Sequence, residues 1–342
     1  MAQLTKVSGW MDIHAHFSPP TIEVEGVEKW HAMRAAHFLV PSPYKWKVEE
    51  TLSYMDRQGI AMQFLSNIPA TLPALQASND YGIEIVKKYP SRFGLLAALP
   101  TDDVKAAIEE VERMKEADGW AVTSCYNSVY LGDKSLDGLW EVLDNKKGVV
   151  FVHPNAYALP PLTQAAPLVE VGFDTCRTVV DMLYKGVFRR YKGIRWVLAH
   201  CGGVLPALSG RLLALGGEEW VANPMGVGLE EMTESLRRLY LDTAATAVPS
   251  LLLPALEMTG RRGERLVYGS DSGVPCTCER TLDANVKSLL AFEGLTEEEK
   301  EAIGHRLEKL FPAATERVSN GARSWSWDFK GADLAQGSRG FD

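Results

Sequence analysis

The sequence predicts an α/β protein whose strands close into a single (β/α)₈ TIM barrel, with a long insert after the first strand. Three observations carry this expectation. Short apolar runs alternate with longer stretches of helical period along the chain, the pattern of βα units around a parallel sheet. Eight such runs can be counted, which is the number that closes a barrel. Where an open doubly wound sheet would place a glycine-rich phosphate turn, after an early strand, the chain has His14-Ala-His16 instead.

The first run, Trp10 to Ile13, leads into His14 and His16. Phe17 to Lys47 follows, longer than a barrel requires and carrying Trp30, His31, His37, Tyr44 and Trp46, so it is expected to cover the open face and shape a pocket. A helix is expected over Val48 to Gln58 and a strand over Ile60 to Ser66. Helix Leu75 to Tyr89 and strand Phe93 to Leu99 form the next unit, then helix Val104 to Ala117 and strand Trp120 to Ser124. Helix Ser135 to Lys146 precedes the fifth strand, Val149 to Val152. A second long loop, Pro154 to Gly172, would also lie over the mouth. Helix Phe173 to Tyr191, strand Arg195 to Ala199, helix Val204 to Leu215, helix Glu230 to Arg238 and the short strands Leu239 to Leu241 and Leu266 to Tyr268 complete the rhythm. Thr296-Glu-Glu-Glu, ahead of an apolar-periodic run to Leu310, has the form of a capping box and starts a late helix. No Pro-, Gly- or Ser-rich linker and no internal repeat divides the chain, so residues 1–318 are expected to form one catalytic domain. Residues 319–342 are expected to be an irregular polar tail in which Trp325 and Trp327 serve as docking anchors.

Composition narrows the classes of function. The chain has 342 residues, 46% hydrophobic and 23% charged, the balance of a globular protein with a large core. A net charge of -8 and a pI near 5.5 argue against a nucleic-acid or anionic-membrane surface and leave a small molecule as the expected partner. Five cysteines, an odd number without framework spacing, read as reduced thiols. There is no signal-peptide order at the start and no run long enough to span a bilayer, so a cytoplasmic location is expected. Cys276-Thr-Cys278 could be taken for a soft-metal pair, but a thiolate site would need two further ligands and no other cysteine has a paired spacing.

The chemistry is written at the strand ends. Side chains two apart on a strand share a face, so His14 and His16 can reach one metal ion. Three later runs also finish in ligand types: His153, His200 and Asp271. A buried, dry strand has no reason to end in His or Asp unless that end opens on a site that uses them. In a (β/α)₈ barrel the carboxyl ends of the strands are that site. Imidazoles and a carboxylate make an N-rich, borderline donor set suited to Zn²⁺ and tolerable for Mn²⁺ or Fe²⁺. His31, His37 and His305 fall away from strand ends and are read as structural. Asp242, closing the seventh strand, is read as a supporting residue behind the ligands. Phe17, Trp30 and Asn67 are candidate walls of the substrate pocket.

Met11-Asp-Ile-His-Ala-His, Phe151-Val-His-Pro154, Leu198-Ala-His-Cys-Gly-Gly-Val-Leu-Pro206, Leu241-Asp-Thr-Ala244 and Tyr268-Gly-Ser-Asp-Ser-Gly-Val-Pro275 together resemble the amidohydrolase superfamily. Within it they resemble the metal-dependent decarboxylases of aminocarboxymuconate semialdehyde, γ-resorcylate and 6-methylsalicylate, over residues 10 to about 312. The resemblance implies a barrel with one divalent metal, usually zinc or manganese, and a homodimer. Position by position it implies His14, His16, His153 and Asp271 as metal ligands and His200 as a catalytic histidine.

Departures from the superfamily's patterns sharpen the choice. Binuclear members carry a bridging lysine at the end of the fourth strand, where this chain has Ser124-Cys125, so one metal is expected. Deaminases place a Glu three residues after the fifth-strand histidine, whereas His153 is followed by Pro, Asn and Ala. The γ-resorcylate type has Glu where this chain has His14 and Gly203, so the aminocarboxymuconate and 6-methylsalicylate types match better. The closing motif Gly304-His-Arg-Leu-Glu-Lys-Leu-Phe-Pro312 lacks the family's Asn. The expected reaction is non-oxidative decarboxylation of a small ortho-hydroxy aromatic acid, with Zn²⁺ the first choice of metal and Asp271 and His200 as the catalytic pair. Two rivals are a mononuclear hydrolase of a lactone or amide, which would use the same ligands, and a binding protein merely stabilised by metal.

Overall fold

The computed structural model describes residues 4–20, 23–155, 163–245 and 247–328. Its strands are β1 (Trp10–His16), β2 (Ile60–Ser66), β3 (Phe93–Ala98), β4 (Gly119–Thr123), β5 (Cys125–Tyr126), β6 (Val129–Tyr130), β7 (Val149–His153), β8 (Arg195–Leu198), β9 (Tyr240–Asp242) and β10 (Leu266–Val267). Eight of them form one parallel sheet in the order β1-β2-β3-β4-β7-β8-β9-β10, while β5 and β6 pair as a separate antiparallel hairpin. The sheet closes where β1 meets the end of β10, through an isolated bridge between Ala15 and Ser272. Backbone bonds from Ile13 to Tyr268, Asp271 to His14 and His16 to Ser272, 3.1, 2.8 and 2.7 Å long, complete that seam. This is the (β/α)₈ barrel expected from the alternation of runs.

The helices are α1 (Glu23–Ala35), α2 (Val48–Gln58), α3 (Leu72–Lys88), α4 (Val104–Arg113), α5 (Asp137–Asn145), α6 (Ala166–Tyr184), α7 (Val187–Arg190), α8 (Leu205–Leu215), α9 (Leu229–Arg237), α10 (Pro249–Thr259), α11 (Glu279–Leu290), α12 (Glu297–His305), α13 (Leu307–Leu310) and α14 (Pro312–Asp328). The core has two shells, as strand alternation demands. Met11, Ile13, Met62, Phe64, Leu96, Phe151 and Val197 fill the barrel interior and meet Leu307, Leu310 and Phe311, which plug one end. Trp10, Leu65, Leu95, Val122, Val150, Leu198 and Leu241 belong to the larger shell, packed with residues of the surrounding helices.

Several details depart from the sequence reading. The insert after β1, expected as a long loop, holds a helix, α1. The helix expected from Phe173 to Tyr191 is two, because Gly186 adopts φ 68° between α6 and α7. α6 also begins at Ala166, with proline in its first turn, so the second loop is shorter than expected; residues 156–162 of that loop lie outside the described residues. The tail expected to be irregular from residue 319 continues α14 to Asp328, because Pro312 starts a new helix in which Ala314 packs on the barrel plug and the Arg317 guanidinium bonds both oxygens of Asp118 at 3.0 Å. The side chains of Trp325 and Trp327, and residues 329–342, lie outside those described. The capping box at Thr296 is present, with reciprocal bonds to Glu299.

Candidate metal centre

β1 carries both His14 and His16 into the mouth, three residues further than the apolar run from Trp10 to Ile13 suggests. Its pairing with β2 slips between Asp12 and Ala15, a bulge that takes the His14 N–H out of the ladder; this N–H donates instead to Asp12 Oδ1 at 3.0 Å. His153 is the last residue of β7, His200 follows β8, Asp242 closes β9 and Asp271 lies beyond β10. His200 and Asp271 both have left-handed backbones, φ 52° and 62°. A non-glycine residue held there costs about 1–3 kcal/mol, a strain typical of functional sites.

One ligand atom each from His14, His16, His153 and Asp271 falls within 4.8 Å of all the others, the one such group of three or more among the described residues. His14 Nε2 and His16 Nε2 are 3.0 Å apart, and each is 3.3 Å from Asp271 Oδ1. Donors bonded to one ion at roughly 2.0–2.2 Å stand about 3.0–3.4 Å apart, which is this spacing. The tautomers agree. His14 Nδ1 faces the wholly buried Asp242 carboxylate at 2.7 Å, and His153 Nδ1 faces the Pro154 carbonyl at 2.8 Å. Neither partner can donate, so both Nδ1 atoms carry the hydrogen and both Nε2 lone pairs are turned to the group. Cys276 and Cys278 are exposed and stand outside the group.

Charge at the site follows from burial and neighbours. Burial, helped by the neighbouring imidazoles of His16 and His14, holds His153 well below the ordinary imidazole value, and burial likewise lowers His16. Burial also works against a charge on His14, but Asp242 and Asp271 outweigh it and push that ring up to about 10. For Asp271 burial favours the neutral acid, yet His14, His16 and His200 overcome it and hold the carboxyl well below its usual range. His16 and His153 are thereby neutral imidazoles beside an ionised carboxylate, while His14 carries a second proton that a bound divalent cation of borderline hardness would displace.

His200 stands apart from the four. Its Nε2 is 3.5 Å from Asp271 Oδ2, so the two oxygens of Asp271 divide their neighbours: Oδ1 faces His14 and His16, and Oδ2 faces His200. His200 Nδ1 is buried and has no hydrogen-bond partner among the described residues.

The three candidate wall residues make other contacts. Phe17 is buried against Trp46 and Tyr81, Trp30 Nε1 donates to the Val40 carbonyl under the Arg34 guanidinium, and Asn67 Nδ2 donates to Ser78 Oγ. His31 lies against Trp30, and His305 sits between Glu301 and Glu308, each far from the strand ends in chain position.

The sequence reading missed a buried polar layer beneath the site. Asp12, Gln63, Ser270 and Ser272 are all nearly inaccessible and mutually bonded. Burial pushes Asp12 up to about 6, against the pull of its hydrogen bonds from Ser270, Gln63 and His14. The available signal was a charge and an amide in apolar strands, at Asp12 and Gln63.

The sequence model of the amidohydrolase family matches residues 11–306. The decarboxylase yanB of Aspergillus niger is 30% identical over 339 residues, covering 88% of this chain and 87% of its own. The 6-methylsalicylic acid decarboxylase of Penicillium expansum is 26% identical over 281 residues, covering 76% and 84%. Among solved structures, a dihydroxybenzoic acid decarboxylase from a Polaromonas species, with bound manganese and the inhibitor 2-nitroresorcinol, superposes with a TM-score of 0.70 over 90% of this chain and 97% of that one, at 20% identity, a likeness of fold. The chain belongs to the amidohydrolase family and is an enzyme of that family's decarboxylase branch.

Proposed function

We propose that this enzyme removes CO₂, without oxidation, from a small ortho-hydroxy aromatic acid of the 6-methylsalicylate or orsellinate kind. His14, His16, His153 and Asp271 would hold one divalent cation, zinc or manganese; the manganese of the Polaromonas structure keeps both in view. When bound, such an ion supplies Lewis acidity to the substrate's carboxylate and neighbouring hydroxyl. Asp271, ionised at rest, then relays a proton taken from His200 to the ring carbon that bears the carboxylate, the bond to CO₂ breaks, and its electron pair restores the aromatic ring. His200, on the far oxygen of Asp271, holds the substrate carboxylate and resupplies that proton. Asp242 keeps the His14 ring in the tautomer that offers Nε2. Phe17, Trp30 and Asn67 are proposed as walls of the aromatic pocket, carried by the insert and the β2 end.

The observation that carries the reading is the division of Asp271 between the ligand histidines and His200, in a chain whose relatives are decarboxylases. None of the three relatives described above lends support to the lactone or amide hydrolase. The test is a panel of salicylate-type acids beside lactones and amides, with CO₂ detection and the reaction run in D₂O. CO₂ release from an ortho-hydroxy acid, with one deuterium at the vacated ring carbon, is expected. Turnover of a lactone or amide without CO₂ would overturn the proposal, as would an Asp271→Asn variant that keeps both metal and full turnover.

The five free cysteines support a reducing, cytoplasmic setting, and no helix among the described residues is long and apolar enough to cross a membrane. A homodimer is proposed as well. A groove of about 980 Å³ between α6 and α8 bears the exposed Phe173, Leu208 and Trp220, a patch suited to a second copy of the chain. Light scattering of the protein and of Trp220→Glu reads this directly, with a dimer expected for the first and a monomer for the second.

A further inference from the structure

The strands β1 and β10 are not joined by a ladder but by one isolated bridge and three backbone bonds, although the ligands His14, His16 and Asp271 sit on the two sides of that seam. Both sides are irregular. On one, the bulge between Asp12 and Ala15 presents His14; on the other, the left-handed Asp271 stands between Ser270 and Ser272. Neither conformation is one the chain adopts unaided, so something must hold each in place.

A single carboxylate touches both. Asp12 Oδ1 accepts from the His14 and Ser270 backbone N–H groups, each at 3.0 Å. Asp12 Oδ2 accepts from Ser270 Oγ at 2.6 Å and from Gln63 Nε2 at 2.8 Å. The grip extends past Asp271: Gln63 Nε2 also donates to Ser272 Oγ at 2.8 Å, and the Ser272 N–H donates to Ser270 Oγ at 3.1 Å. Asp12 is wholly buried, so no water replaces these bonds when one is lost.

We propose that Asp12 is a positioning residue of the metal centre: its carboxylate locks the bulge that presents His14 to the turn that presents Asp271, and so sets the spacing of ligands across the barrel seam. The inference rests on the metal reading above and concerns a residue outside the ligand set. Alanine leaves the His14 and Ser270 N–H groups without an acceptor and removes one of the two acceptors of Gln63 Nε2. Asparagine keeps one oxygen for the two N–H groups but turns an amide toward Gln63 Nε2 and Ser270 Oγ, which is relieved only if the Gln63 amide flips and the serine hydroxyls reverse their hydrogen bonds.

The test measures Mn²⁺ and Zn²⁺ binding by chelator competition on Asp12→Asn, Asp12→Ala and Ser270→Ala, beside thermal melts of the metal-free proteins and kcat at saturating metal. Leu252→Ala, a buried α10 residue of the outer shell, serves as a variant that is merely destabilised. Positioning predicts that Kd rises about 10-fold for Asp12→Asn and up to about 100-fold for Asp12→Ala, with a smaller rise for Ser270→Ala, while Leu252→Ala melts earlier at unchanged Kd. Should Asp12→Ala fail to fold, Asp12→Asn and Ser270→Ala decide. A folded Asp12→Asn that binds both ions with wild-type affinity overturns the inference and leaves the metal reading standing. Wild-type protein that binds neither ion overturns the metal reading, and this inference with it.

Discussion

Behind the His14 ring stands a carboxylate with no exposure at all, and its loss should be felt at the opposite nitrogen. Asp242→Ala leaves His14 Nδ1–H buried without an acceptor and frees the ring to turn, so metal affinity is expected to fall about 10–100-fold, measured by chelator competition. Unchanged affinity would show that the ring is held by its packing against Phe151 and the neighbouring imidazoles. The five residues of the proposed chemistry were legible in the sequence because each is a costly polar group at the end of an apolar run. Asp12 was not, because a polar residue next to a strand's end reads as ordinary alternation, and only the bulge turns its carboxylate onto the His14 N–H. Nor could spacing reveal the left-handed backbones of His200 and Asp271, which depend on contacts from distant strands.

At the scale of elements, β2 and α2 were legible to the residue, since their period, length and flanking turns agree, with Gly59 closing α2 at φ 83°. The helix α1 was hidden because the apolar residues of Glu23–Ala35 gather on no single face. What anchors it is local: Trp30 Nε1 and Arg34 both donate to the Val40 carbonyl, and the guanidinium lies 5.4 Å from the indole centroid. Trp30→Ala is therefore expected to loosen the insert and raise KM several-fold with kcat little changed, read from steady-state kinetics; a fall in kcat at constant KM would place Trp30 at the chemistry instead. At the end of α12, burial works against a charge on His305, but Glu308 and Glu301 outweigh it and raise the ring above its ordinary 6.5. A raised value in the folded state stabilises the fold fully below pH 6.5 and is lost as pH rises through the folded value. His305→Gln should accordingly lower Tm at pH 5.5 and have little effect at pH 9. An equal loss at both values would assign His305 a packing role only.

For the molecule as a whole, the barrel is held by two apolar shells, and the mouth is where irregular backbone and buried charge concentrate. An ion bound there would stabilise the native state alone, by about 2.7 kcal/mol at 100 times its Kd. Calorimetry should show Tm falling on chelation and recovering with Zn²⁺ or Mn²⁺, together with turnover. A melting point indifferent to chelator would mean that the four ligand atoms do not share a cation. The order of the strands adds a consequence for biosynthesis. Two of the four proposed ligand side chains, His14 and His16, leave the ribosome more than 250 residues ahead of Asp271. A nascent chain cannot assemble the full set until the last barrel strand has emerged, so a cation that needs all four donors would be captured late, and a chain released before that strand would be unable to keep one.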